Sequence, residues 1–465
     1  MNISNLLRLF AVAVFAACSA SLSAKSKNAK EETYKFRITF TDKTSCGFSV
    51  NNPLAFLSPK AVERRTRLGL KVDEYDLPLT AAYVKKIKSL GLRVVCQSKW
   101  NNTLVVATSD STLSTRAAQL PFVKDVRCVW IRPDSAETFD ASERLAMLEN
   151  KPDTLPGFYG RAQRQAEMLG VDKLHAKGFK GEGVTIAVID GGFFNADVIK
   201  GLSGAKILGT KNFVRPSRSV YEEQSHGMMV LSCIAANAPH SLVGTAPDAS
   251  FYLLVSEDGE SEQLVEEDYW CAAMEYADSL GADMVTSSLG YYRFGHKFMD
   301  HKYADLDGKT ALNSRSASLA ASRGILLCNS AGNSGDEPWK KISFPADGFD
   351  MLTVGAVDST GENTNFSSLG NTADNRTKPD VMAMGGHSAV YHSDGNVGTA
   401  NGTSFSCPIL CGAVACLLQA FPSAKPAAIA DAVRRSGSEA QAPNNVFGYG
   451  IPDLEKAFSL LKKND

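Results

Sequence analysis

Four short runs between residues 183 and 330, GVTIAVID, FYLLV, DMVTSSLG and GILLCNS, are almost uninterrupted in their apolar character. A strand with one wet face alternates apolar and polar side chains, whereas a strand covered on both faces has no polar side to show. Such runs belong in a parallel sheet held between layers of helix. Segments such as SEQLVEEDYWCAAMEYADSLG carry helical spacing between them and supply the covering layers. Residues 161–465 are therefore expected to form an α/β unit built on a doubly wound, mostly parallel sheet.

The preceding part has a different rhythm. TYKFRITF reads as a strand, AAYVKKIKSLG as a helix, RVVCQS and TLVVAT as strands, STLSTRAAQL as a helix and FVKDVRCVWI as a strand. That is the βαββαβ order of a split βαβ unit. A small ferredoxin-like α+β domain is expected over residues 30–133, with an insertion from Cys46 to Pro78 ahead of the AAYVKKIKSLG helix. Residues 134–160 turn polar, carry Pro152 and Pro156 and lose any period, which reads as a linker.

Residues 1–24 show one arginine, an apolar run from Leu9 to Ala17 and then small residues, the layout of a secretory signal and too short to span a bilayer permanently. FAAC, ending at Cys18, also resembles a bacterial lipoprotein processing site. The chain is expected to be exported, to the periplasm, the outer membrane or the medium, with membrane contact only through a lipidated Cys18. No later segment holds about eighteen uninterrupted apolar residues. Nine of the ten cysteines follow Cys18 without a CxxC pair and read mostly as small buried apolar side chains. A formal net charge of -1 offers no basic field for nucleic acid.

Reacting groups in a doubly wound sheet gather at the carboxyl ends of its strands. Asp190 closes VTIAVID, His226 opens HGMMVLSCIAANAP, Asn333 sits in NSAGNSGDE after GILLC, and Ser404 heads the apolar pattern of NGTSFSCPILCGAVA. Each alone has an ordinary explanation: a helix cap, a structural imidazole, a turn residue. Together they fit one task. A serine hydroxyl becomes a nucleophile when an imidazole takes its proton, a carboxylate holds that imidazole in the useful tautomer, and an amide donates to the oxyanion that forms. Two rival readings lose on context. The glycines of GEGVTI precede their strand, where a dinucleotide site needs them after it. GTSFS has Ser406 where a nucleophile elbow needs glycine.

With these motifs the sequence resembles the subtilisin-like serine peptidases, or subtilases. The resemblance rests on IAVIDGG around Asp190, SHGMMV around His226, SSLG at 287–290, SAGNSG around Asn333 and NGTSFSCP around Ser404, followed by FPA at 344–346, KPDV at 378–381 and FGYGIPD at 447–453 in their own places. It implies Asp190 as the acid that orients the imidazole, His226 as general base and then acid, Ser404 as the acyl-forming nucleophile, and Asn333 with the Ser404 backbone N–H as oxyanion donors. It also implies that Ser288, Leu289 and Gly290 on one side, and Ala331 and Gly332 on the other, flank a peptide or protein substrate in extended form. Gly191 and Met228 depart from the usual family residues at their positions without removing a proton-transfer group. The N-terminal unit resembles the inhibitory propeptide of secreted subtilases, with FLSPKAVERR and SKWNN similar to Bacteroidetes-type versions. The chain's own N-terminal domain is thus an expected partner and inhibitor, released by a cut between Asp134 and Gly160.

This chemistry requires no cofactor. Calcium is common in the family, and the residues leave a structural calcium open. DLDGKT at 305–310 lacks a full calcium-loop pattern, and His296, Asp300 and His301 read as a solvated loop. The same residues would also serve a catalytically silent binding protein of this fold, or a peptide ligase in which an amine takes the acyl group in place of water.

Overall fold

The structure, a computed structural model, describes residues 32–133 and 155–463. The signal-like segment and most of the linker lie outside the described residues.

The first unit runs β1 (Tyr34–Phe40), α1 (Pro59–Arg67), α2 (Ala81–Ser89), β2 (Arg93–Ser98), β3 (Thr103–Thr108), α3 (Thr112–Ala118) and β4 (Val123–Ile131). Its sheet has the order β2-β3-β1-β4 with antiparallel neighbours throughout. Side-chain alternation gives the sheet two apolar faces. Phe36, Ile38, Leu104 and Val106 pack with Ile87 of α2 and Ala117 of α3, while Val105 and Val129 face the other way. Within the insertion, Ser58 accepts the Ala61 N–H and Pro59 opens α1, a start that satisfies one orphan donor and removes another.

The second unit continues with β5 (Thr185–Asp190), β6 (Lys206–Asn212), α4 (His226–Ala235), β7 (Ser250–Val255), α5 (Val265–Leu280), β8 (Met284–Ser287), β9 (Leu326–Ser330), β10 (Leu352–Val357), β11 (Val381–Met384) and α6 (Thr403–Ala420). Seven strands lie in the order β11-β10-β9-β8-β5-β7-β6, every neighbouring pair parallel. Ile186 and Val188 of β5 join the layer that holds α4 and α6, and Ala187 and Ile189 join the layer that holds α5. This double burial is what the continuous apolar runs required. Helix α6 is long and apolar enough to cross a membrane, yet 89% of it is buried inside the protein; it is apolar all round because it is packed all round. The nine described cysteines are all free, and all but Cys96 and Cys128 are buried.

Residues 155–160, which composition assigns to the linker, already belong to the second unit. The Leu155 N–H donates to the His240 carbonyl at 2.9 Å, and Gly160 bridges to Leu242. Backbone pairing holds this stretch, and composition does not register backbone pairing.

The two units meet over α5. Trp100, Val105 and Val129 share a core with Tyr269, Trp270 and Ala273 of that helix. Glu275 accepts the Lys99 N–H at 2.7 Å, the Trp100 N–H at 3.1 Å and the Ser98 hydroxyl. Arg37 of β1 pairs in bidentate fashion with Asp268, at 2.7 and 2.6 Å. From α1, Arg65 reaches both Asp76 at 2.8 Å and Asp278 at 3.1 Å, and Arg64 also pairs with Asp278. These charges are almost completely buried, so breaking one partner strands another away from water.

Candidate active site

Strands β5 and β8 are neighbours, while the chain leaves β5 towards β6 and β7 on its other side. A crevice opens at the carboxyl ends where the connections diverge. Asp190, the last residue of β5, is fully buried there. Its Oδ1 accepts the Gly191 N–H at 2.8 Å and faces His226 Nδ1 at 2.8 Å. His226 is the first residue of α4, and Gly227 permits the close approach: a β-carbon there would stand 2.8 Å from Asp190 Cβ. Burial works against the imidazolium. The charge and hydrogen bond of Asp190, with the charge of Glu257, prevail and hold His226 up to about 9. With Nδ1 engaged by the carboxylate, Nε2 is the nitrogen left to move a proton.

Ser404 is not the cap of α6. Gly402 occupies that position with no side-chain cap bond, and Ser404 is the second helical residue. Gly402 has φ 149° and ψ 152°, a conformation that essentially only glycine adopts. The Ser404 N–H belongs to the first turn, where no intrahelical carbonyl is available to it. Its hydroxyl makes a long contact, 3.5 Å, with the Ser288 carbonyl, and Ser288 Oγ donates back to the Ser404 carbonyl at 2.8 Å. Asn333, just beyond β9, accepts the Thr403 N–H through Oδ1 at 2.9 Å.

Asp190, His226, Asn333 and Ser404 share a cavity of about 290 Å³ that Ser288, Leu289, Gly290 and Gly332 also line. Ala331 stands behind the wall; it is fully buried, and its carbonyl accepts the Ser343 N–H at 3.1 Å. Gln224, Glu257, Glu262 and Ser343 line the same cavity and were missed in the sequence. The register of β7 on β5, with Asp190 opposite Val255, carries the residues after Val255 to the side of Asp190. A larger cavity of about 950 Å³ lies in the seam between the two units and holds none of these groups. Among the described residues no three His, Cys, Asp or Glu side chains stand together to hold a metal. His301 pairs with Glu267, and Asp300 accepts the Phe294 N–H at 2.8 Å.

The model of the subtilase family matches residues 181–450, more than half of the chain and all four of these residues. The chain belongs to the subtilase family. It is a serine endopeptidase, and residues 35–142 match the peptidase S8 propeptide domain of Bacteroidota, so this subtilase carries a propeptide domain. It is similar to subtilisin E of Bacillus subtilis, 30% identical over 295 residues that make up 63% of this chain and 68% of that one. Serine protease AprX of Bacillus subtilis is 27% identical over 309 residues, 60% and 66% of the two chains. Among solved structures, fervidolysin from Fervidobacterium pennivorans, a keratinolytic enzyme related to subtilisin, superposes with a TM-score of 0.61 at 19% identity, over 93% of this chain and 62% of its own. The protease domain of PatA superposes with a TM-score of 0.51 at 23% identity, over 62% and 98%. These two likenesses show the shared fold.

Proposed function

We propose that this subtilase hydrolyses extended peptides through Asp190, His226 and Ser404, and that it is exported as a precursor restrained by its own N-terminal domain. The observation that carries the reading is the contact of buried Asp190 with the half-buried His226, 2.8 Å apart, on the cavity that also holds Ser404 and Asn333. Ser404 Oγ attacks the scissile carbonyl carbon as His226 Nε2 takes its proton, while Asp190 keeps the Nδ1 proton and stabilises the imidazolium. The oxyanion is met by Asn333 Nδ2 and the Ser404 N–H, with the positive end of α6 beneath it. His226 then protonates the leaving amine, the acyl group remains on Ser404, and a water deprotonated by His226 releases it as a carboxylic acid.

Restraint by the first unit is supported by where β4 ends. The Gln263 side chain holds Ile131 through its N–H and its carbonyl, both at 2.8 Å, and Gln263 adjoins Glu262 on the cavity wall. The last strand of the first unit therefore finishes beside the cleft. Residues 1–24 act as the export signal in this proposal, residues 30–133 as the inhibitor of the 161–465 peptidase, and the cut falls between Asp134 and Gly160. The mature enzyme is free, or held at a membrane through Cys18.

Intact-mass measurement of wild type and Ser404→Ala after treatment with a fluorophosphonate tests the reading. Wild type alone takes the label, and the N-terminal unit is lost only when Ser404 is present. Wild type that stays unlabelled even after trypsin has trimmed the N-terminal unit defeats the proposal.

A further inference from the structure

We infer that the cleft selects peptides with a lysine or arginine shortly upstream of the scissile bond, read by Glu257 and Glu262. The inference rests on the peptidase reading above and concerns the same cavity.

Both glutamates follow β7 and line the cavity with His226 and Ser404. Glu257 Cβ lies 3.7 Å from the point where a β-carbon on Gly191 would stand, which puts this side chain beside the triad aspartate. Neighbouring charges are already satisfied. Arg215 is engaged by Glu223, Asp258 and Glu260 at 3.2, 2.6 and 3.0 Å. Glu266 accepts the N–H groups of Asp258 and Gln263 at 2.8 and 2.9 Å. Glu257 and Glu262 have no such partner among the described residues. Partial burial, joined by repulsion from Glu262 and Asp190 and opposed by the charge of His226, pushes Glu257 up to about 8, while Glu262 stands exposed at the rim of the cavity. Apart from the His226 imidazolium, which faces Glu257, the two carboxylates have no cationic partner among the described residues, and a cation arriving on the substrate pairs with them.

A second observation, independent of the acids, points to a polar ligand in the same cavity. Ser343 Oγ, on a residue 4% exposed, lines the cavity and has no hydrogen-bond partner among the described residues. It stands between the two flanking segments, 2.0 Å from where a β-carbon on Gly290 would be and 3.0 Å from one on Gly332. A buried hydroxyl left open in this way is completed by a polar atom of the occupant. An apolar peptide would leave this hydroxyl and both carboxylates unpaired. Two carboxylates without a third ligating group do not make a metal site, whereas a guanidinium can donate to both.

The test uses the purified mature enzyme and its Glu257→Gln, Glu262→Gln and doubly substituted variants, each titrated with a fluorophosphonate so that rates refer to competent sites. Paired fluorogenic peptides differ only in arginine or citrulline at the second, third or fourth residue upstream of the cut; citrulline keeps the shape and removes the charge. In wild type, kcat/KM favours arginine about tenfold or more at one of these positions, and the preference falls below about threefold in the double variant. A wild-type ratio near one at all three positions, in enzyme that labels and cleaves, overturns the inference and leaves the peptidase reading standing. A preference that survives in the labelled double variant overturns the role of the glutamates. Enzyme that neither labels nor cleaves overturns the peptidase reading itself.

Discussion

Asn333 Oδ1 accepts both the backbone N–H and the hydroxyl of Thr403, each at 2.9 Å. A backbone N–H can only donate, so the amide oxygen must face Thr403, and the Nδ2 donors are left for the cavity that Asn333 lines. Asn333→Ala is expected to lower kcat by about 10²–10³ with little change in KM, the usual cost of removing one oxyanion donor. Asn333→Asp keeps the oxygen, loses the donors and falls as far. Thr403→Val leaves the backbone bond in place and costs less. Steady-state kinetics on the mature enzyme decides; a kcat close to wild type in Asn333→Ala would take the oxyanion role from this residue.

His226, held up to about 9 against the cost of burial by Asp190 with Glu257, must be neutral to act as a base. Raising its value extends the protonated, inactive form to higher pH. Activity is therefore lost as pH falls through the His226 value, and the acid limb of kcat/KM lies well above the ordinary histidine value of 6.5. Glu257→Gln removes one negative neighbour and moves that limb downwards. Rates measured from about pH 6 to about pH 10 show it, since kcat/KM reports the free enzyme's base. A wild-type limb at the ordinary value would contradict the electrostatic account.

Glu275 draws in the Ser98 hydroxyl and the N–H groups of Lys99 and Trp100. Glu275→Ala in a Ser404→Ala chain, which cannot process itself, leaves those buried donors unmet at about 1–3 kcal/mol each. Hydrogen exchange should accelerate in β2, β3 and β4, while β5, β8 and β9 keep their protection. Equal exchange in both chains would mean that the docking of the first unit does not depend on this carboxylate.

Asp380 accepts from Lys378 Nζ at 2.6 Å, Arg434 Nε at 2.7 Å and the Thr353 N–H at 2.7 Å. Burial alone would raise its carboxyl; the charges of Arg434 and Lys378 outweigh it and hold the group at about 2. A carboxylate depressed in the folded state contributes stability that is complete above its ordinary value of 3.8 and is lost as pH falls through about 2. The loss is on the order of 2–3 kcal/mol. Asp380→Asn should cost about 3–5 kcal/mol at neutral pH, because Lys378 remains buried without its partner and the part-buried Arg434 loses its own. It should also flatten the acid dependence. Urea unfolding of both chains at neutral and acid pH measures the two effects, and parallel acid profiles would remove Asp380 from the explanation.

Part of the parallel sheet is legible in the sequence from the mark that burial leaves, although the equally buried β10 and β11 were not read from it. Strands β5, β7, β8 and β9 lie inside the sheet and read as continuous apolar runs. Strand β6 escaped because it lies at the edge and carries exposed residues along most of its length, so its sequence has no such run. The extent of the second unit was read short at its start, since residues 155–160 are held by backbone bonds that any residue type can make. Ser404 could not be told from a helix cap by its own surroundings, because a serine before an apolar helical pattern is what a cap looks like. The backbone of Gly402 takes over the entry to the helix.

The sequence by itself determined the residue types of the site and their places at strand ends and helix starts, because those places are properties of local pattern. Asp190, His226, Asn333 and Ser404 could all be named from it. Tertiary structure decided what else faces the cleft. Glu257 and Glu262 face the cavity through the parallel register of β7 on β5, and Ser343 does so because its backbone pairs with Ala331. Contacts of this kind join residues remote in the chain, and no local period or spacing encodes them.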